Sequence, residues 1–137
     1  MSTGPGRNID GLARLIHLPA RPLEAWYESI PIGTPGGGWG LGPTDYDWVI
    51  VMRFDRSTLT RLTADLPRSM RAARFTADTN RPWFPPDVRA AIVRDGGDLT
   101  ARGQRFDSTL FCEAGIGCDS FIVLEGGEYV LLTFSTT

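Results

Sequence analysis

The sequence contains no lysine: all fourteen of its basic side chains are arginine. Schiff-base chemistry and lysine general bases are therefore excluded. A Walker A phosphate loop is excluded as well, because its lysine must reach the phosphates. An arginine-only basic set is what a G+C-rich bacterial coding sequence produces, and a bacterial source is expected on that ground. Histidine is almost as scarce. His17 is the sole one, so any Ser-His-Asp or Cys-His mechanism would have to run through it. No Gly-x-Ser-x-Gly elbow accompanies it. It lies in Ala13 to Leu18, ARLIHL, a stretch that reads as a strand, and a hydrogen-bonded structural role is expected.

Cysteine is limited to Cys112 and Cys118, spaced C-x5-C. Two cysteines do not build a secreted disulfide framework. The spacing falls outside the two to four residues that zinc sites favour, and no third cysteine is present. No metal and no cofactor is expected. A bond between the two would close a small loop; in a reducing compartment they are two small buried thiols. Long apolar runs are missing too. The longest, Trp48 to Met52 and Tyr129 to Leu132, fall far short of the ~20 residues of a membrane-spanning helix. The opening MSTGPGRNID has no apolar core of a signal peptide, so a cytoplasmic location away from membranes is expected.

What is present suits one globular domain. The chain has 137 residues, 42% hydrophobic and 22% charged, which is ordinary for a folded chain and wrong for a disordered one. A single α+β domain over residues 1–137 is expected, with residues 1–10 as a flexible N-terminus. The net charge of -2 creates no global field for nucleic acid.

The glycine-rich stretch GTPGGGWGLG, residues 33–42, invites a phosphate-binding reading. A dinucleotide fingerprint needs glycine at the first, third and sixth positions. Counting from Gly36, Gly38 and Gly40, the sixth position falls on Leu41, Pro43 and Asp45. A strand rather than a helix follows, so no helix N-terminus awaits an anion. The segment reads as a connection with Trp39 at its middle. Trp39 is either a recognition aromatic on a loop or a lid folded back on the core.

Asp47 to Phe54, DWVIVMRF, is dense in β-branched and aromatic residues and reads as a strand buried on both faces. A helix follows, capped by Asp55 or Ser57, with Leu59, Leu62 and Leu66 on one stripe and Pro67 as its stop. Pro22 to Ser29 fits strand or helix. A helix is expected from Pro86 or Asp87, with Val88, Ala91 and Ile92 as its apolar side and Gly96-Gly97 as its end. Leu99 to Phe106 reads as one polar strand near an edge. Phe121 to Leu124 and Tyr129 to Phe134 flank Glu125-Gly126-Gly127-Glu128 as a hairpin with a two-residue type I′ turn. Counting outward pairs Leu124 with Tyr129, Val123 with Val130, and Ile122 with Leu131. These elements predict a mostly antiparallel sheet of about four to six strands, the C-terminal hairpin central, with two or three short helices on one face.

Two constellations carry candidate chemistry. Asp45 and Asp47 flank Tyr46 before the central strand; as an i, i+2 pair in extended chain they share a face and suit acid–base work. Turn chemistry after Pro43-Thr44 is the competing account. The second constellation is basic. Residues 68–89 carry Arg68, Arg71, Arg74, Arg81 and Arg89 against Asp78 and Asp87, whereas residues 107–137 carry five acidic residues and no arginine. Arg68, Arg71 and Arg74 share one face if helical, and Arg81, Trp83 and Phe84 follow. Arginines interleaved with aromatics suit an anionic ligand or an acidic partner. Alternatively, they neutralise the acidic C-terminal hairpin of the same chain, where Glu125 and Glu128 need a cation between them.

Two functions follow. One is non-catalytic binding, a protein–protein interaction of the immunity-like or accessory kind, through Trp39, Arg68, Arg71, Arg74, Arg81 and Trp83. The other is a small enzyme or small-molecule binder with a pocket on the sheet. It would use Asp45 or Asp47 as acid–base, with Arg53 or Arg81 holding an anionic group. The expected partner is a protein or a small anionic ligand rather than nucleic acid or a membrane.

Overall fold

A computed structural model describes residues 5–32, 45–71, 73–75, 80–95, 98–112, 118 and 120–136, with backbone alone at 31, 32, 45, 46, 75, 95, 98, 135 and 136. In chain order the elements are α1 (Ile9–Leu15), β1 (Glu24–Ile32), β2 (Asp45–Arg53), α2 (Arg56–Thr63), β3 (Arg74–Phe75), α3 (Pro86–Ala90), β4 (Ile92–Asp95), β5 (Asp98–Ala101), β6 (Gly103–Phe106), β7 (Phe121–Leu124) and β8 (Tyr129–Thr136). The architecture is the expected α+β. A five-stranded antiparallel sheet of order β1-β2-β8-β7-β6 sits beside a three-stranded sheet of order β3-β5-β4.

The large sheet is a middle layer, and the alternation of its strands shows why. In β2, Val49 and Val51 face one way and Ile50 and Met52 the other, and all four are fully buried. Burying one such side chain stabilises by roughly 1.5–3 kcal/mol, so a run apolar on both faces demands cover on both. One face packs against Leu12 of α1, Leu59 of α2 and Phe111. The other packs against Val88 of α3, Phe84, and Leu99 and Ala101 of β5. Two helices thus lie on one face, while α3 joins the small sheet on the opposite one.

The C-terminal hairpin keeps the register counted from the sequence, Ile122 opposite Leu131 and Val123 opposite Val130. Its turn is different. The closing bond runs from the Gly127 N–H to the Leu124 carbonyl at 3.0 Å, so the tight turn spans 124–127 within a four-residue loop rather than a two-residue one. Gly126 (φ 102°) and Gly127 (φ 75°) both adopt the left-handed backbone that the pair was expected to supply.

Three elements depart from expectation. The stretch from Ala13 is helix, not strand. Asn8 caps α1 by accepting from the Gly11 N–H, and Leu12 and Ile16, four residues apart, both go fully into the core. Helix α3 stops at Ala90, and Ile92 opens β4 instead. The β-branched pair Ile92-Val93 favours a strand, which returns through a hairpin with Asp95 opposite Asp98. Finally, residues 99–106 form two strands in different sheets. The chain crosses between them at Gly103, where a Cβ would lie 2.2 Å from the Val123 carbonyl oxygen.

Each edge strand of the large sheet carries one isolated bridge, which blunts it locally. Gly6 and Tyr27 exchange backbone bonds of 2.7 and 3.0 Å along β1. Arg68 bridges Phe106 on the β6 side. Blunted edges resist strand addition by another chain. Among the described residues no helix is long and apolar enough to cross a membrane.

Candidate functional site

The segment from Asn80 to Leu99 builds a cleft. Phe84 drives into the core with 3% exposure and anchors the strand-to-helix passage. Pro85 and Pro86 then start α3, where a missing N–H costs nothing. Arg89 in that helix donates from Nε back to the Phe84 carbonyl at 3.0 Å, which holds its guanidinium near the passage. In β4, Ile92 and Arg94 lie two residues apart on one face, and Leu99 sits directly opposite Arg94. Asn80, Arg81, Pro82, Arg89, Ile92, Arg94 and Leu99 together line a cleft of about 410 Å³. Three guanidiniums thus surround a partly apolar floor.

Arg81 is held from below. Its Nε donates to Glu28 Oε1 at 2.6 Å, and the Trp83 indole N–H donates to the same oxygen at 3.0 Å. Both charged side chains are mostly shielded, 29% exposed for Arg81 and 19% for Glu28. Trp83 also meets Phe84 edge-on, with centroids 5.0 Å apart. Glu28 belongs to β1, so this cluster ties the arginine segment to the large sheet. Among the described residues Arg94 has no ion pair, and Glu28 is a carboxylate partner of Arg81 at the lip of the cleft.

The other basic residues lie elsewhere. Among the described residues of 68–75 none is helical, so Arg68, Arg71 and Arg74 do not share a helix face. Arg68 bridges Phe106 through its backbone, because the chain here runs beside β6, with the Ser69 N–H on the Arg105 carbonyl at 2.8 Å. Arg71 pairs with Asp107 at 3.2 Å. Arg74 opens β3 and lines a separate cavity of about 140 Å³ with Arg105, Ser120 and Thr133. Of the expected binding residues the structure therefore brings together Arg81 and Trp83. Trp39 lies outside the described residues. Sequence reasoning missed Glu28, Asn80 and Arg94 as site members; Arg89 was counted in the basic segment without being singled out.

Asp45 and Asp47 both lie in β2, opposite Ile32 and Ile30 of β1, in extended chain as their pairing required. The Asp45 side chain is outside the described residues. Strand alternation puts Asp47 on the same face as Glu28, one cross-strand step from the Glu28–Arg81 pair. Arg53 ends the same strand six positions from Asp47, ~20 Å away at the usual rise. There it lies between Glu24 and Glu128, 3.9 Å from each. Arg53 thus approaches one of the two carboxylates of the acidic turn, Glu128, and Arg56 donates from Nε to the Gly126 carbonyl at 2.9 Å.

His17 follows α1 on an exposed stretch, not inside a strand, and its backbone N–H donates to Phe111 at 3.0 Å. Cys112 and Cys118 are joined in a disulfide with Cα atoms 5.9 Å apart, one of the two states the sequence left open. Phe111, next to Cys112 in the chain, packs against Phe54 and Phe121.

A second cleft of about 400 Å³ opens across α3 from the first. Arg56, Asp87, Ala90, Arg102, Glu128 and Tyr129 are among its walls. Burial pushes the Tyr129 phenol above its ordinary pKa, and the Asp87 carboxylate adds to the shift. Comparison with protein families, with curated proteins and with solved structures finds no match for the chain.

Proposed function

We propose that the chain is a non-catalytic binding protein, and that the arginine-lined cleft receives an acidic segment of a partner protein. The observation that carries this reading is the convergence of Arg81, Arg89 and Arg94 on one cleft with an apolar floor of Pro82, Ile92 and Leu99. Guanidiniums do not exchange protons near neutral pH; they hold carboxylates through paired N–H donors. Such a set suits recognition rather than acid–base chemistry. The mixed lining suits a peptide, whose carboxylates meet the arginines while its backbone and aliphatic stems cover the floor. An immunity-like or accessory role in a bacterial cytoplasm fits a small binding module of this kind.

The test is fluorescence anisotropy with a labelled octaglutamate peptide, followed by capture of partners on immobilised protein. Arg89→Glu combined with Arg94→Glu is expected to weaken the peptide at least tenfold with no fall in melting temperature. Arg71→Glu combined with Arg74→Glu is expected to leave it bound. The reverse pattern would move the interface to the 68–74 segment and overturn the cleft assignment.

A further inference from the structure

We propose that the second cleft, between α3 and the β7–β8 turn, is a separate binding site for a small zwitterion carrying an amine at one end and a carboxylate at the other. The argument starts from how its charges are placed. Asp87 sits in the first turn of α3, beside Tyr129. Arg102 is fixed past the opposite end of the same helix. Its N–H donates to the Ala91 carbonyl at 2.6 Å, and its own carbonyl accepts from the Glu125 N–H at 2.8 Å. The backbone points that carry the two charges, Asp87 and the Ala91 carbonyl bonded to Arg102, are thus at the two ends of one short helix, four residues and ~6 Å apart along its axis.

Although Asp87 and Arg102 line the same cleft, they do not neutralise each other. Among the described residues neither Asp87 nor Arg102 enters an ion pair or a side-chain hydrogen bond. Opposite charges that share a concave wall without meeting leave a dipolar groove, and the ligand that gains from both ends carries the reverse dipole. The other charged residues lining the cleft are Arg56, Glu125 and Glu128. Glu128 lies beside Tyr129 and is only loosely engaged by Arg53, at 3.9 Å. Asp87, Glu24 and Glu128 raise the phenol against the opposing pull of Arg53, and the Asp87 and Glu128 carboxylates that line the cleft with the Tyr129 ring offer an ammonium group anionic partners and an aromatic wall. At the turn, the bond from Arg56 to Gly126 holds a second guanidinium over the wall. A cleft of about 400 Å³ is within the range of small-molecule sites. This site does not depend on the arginine cleft, which is lined by different residues.

The experiment is calorimetric titration of the full chain with four probes: 4-aminobutanoate, 6-aminohexanoate, hexylamine and hexanoate. One of the two zwitterions is expected to bind at least tenfold more tightly than either singly charged probe. Asp87→Asn should weaken that zwitterion and hexylamine but not hexanoate. Arg102→Gln should weaken the zwitterion and hexanoate but not hexylamine. Asp87→Glu, which keeps the charge, should restore amine binding and guards against a merely structural loss. Equal affinity for all four probes, no heat from either zwitterion, or zwitterion binding unchanged in both Asp87→Asn and Arg102→Gln would overturn the proposal.

Discussion

Arg81 reaches across 53 residues of sequence to donate to Glu28 Oε1 at 2.6 Å, and the same oxygen takes the Trp83 indole N–H. One carboxylate oxygen therefore orders the lip of the arginine cleft and cancels one of its three charges. These two roles pull in opposite directions when Glu28 is removed. Glu28→Ala is expected to lower stability by about 1–3 kcal/mol, the usual cost of leaving shielded donors unpaired. It is also expected to tighten octaglutamate binding, because a negative charge at the lip of the cleft is removed. Urea unfolding and peptide anisotropy on the same variant check both. A variant that loses stability and affinity together would show that Glu28 acts on the cleft by positioning Arg81 rather than by cancelling its charge.

That pair also marks where sequence reading stops. Local patterns were legible. Val49 to Met52 announced a strand covered on both faces, the leucines after Asp55 a helix, and Gly126-Gly127 a hairpin whose register could be counted. The misread elements are those where a local pattern was cut in the wrong place or allowed to run on. The stretch from Ala13 was read without Asn8 and Ile9, which begin its helix. Ile92 extends the spacing of Val88 and Ala91 and so looks helical, although Ile92-Val93 is a strand pair. Gly103 has no side chain to signal that the chain changes sheets there. The site was less legible still. Nothing local in Glu28 points to Arg81, and Arg94 joins Arg89 only because β4 folds back beside α3.

The disulfide gives a prediction of stability. Cys112 and Cys118 close a loop of small size, with a sequence separation of 6, for which loop entropy predicts about 2 kcal/mol. Cys112→Ser with Cys118→Ser, or reduction of the native chain, is expected to lower unfolding free energy by about that amount. Phe111, fully buried, adjoins bonded Cys112, so near-ultraviolet dichroism of the aromatic cluster should weaken as well. An unfolding midpoint insensitive to reductant would show that the cross-link does not constrain the unfolded chain.

Two glycines should respond to alanine for different reasons. At Gly103 a Cβ would lie 2.2 Å from the Val123 carbonyl oxygen and 2.8 Å from the Leu124 Cα. Both are backbone atoms in the β6–β7 pair, which must separate to admit it. A cost of about 3 kcal/mol or more is expected, in the range of severe overpacking. At Gly126 nothing lies within 4 Å, but φ is 102°, and left-handed backbone costs a non-glycine residue about 1–2 kcal/mol. Urea unfolding should rank Gly103→Ala well below Gly126→Ala, and the reverse order would contradict the crossing of the chain at Gly103.

Tyr129 predicts a limb of alkaline instability. Burial first, and the Asp87 carboxylate next, raise its phenol above its ordinary value of 10.0. The sign follows from linkage. Near pH 10 the unfolded chain releases this proton while the folded chain still holds it, so ionisation draws the equilibrium toward the unfolded state. The contribution of the neutral phenol is fully present below pH 10 and is lost as pH rises through the raised folded value. Tyr129→Phe has no proton to lose and should flatten this part of the stability curve. Asp87→Asn removes the second cause but not the first, and should shift the tyrosinate absorbance titration downward only in part. If Asp87→Asn leaves that titration where it was, the carboxylate does not face the phenol across the second cleft. The ammonium end of the proposed zwitterion site would then have lost its support.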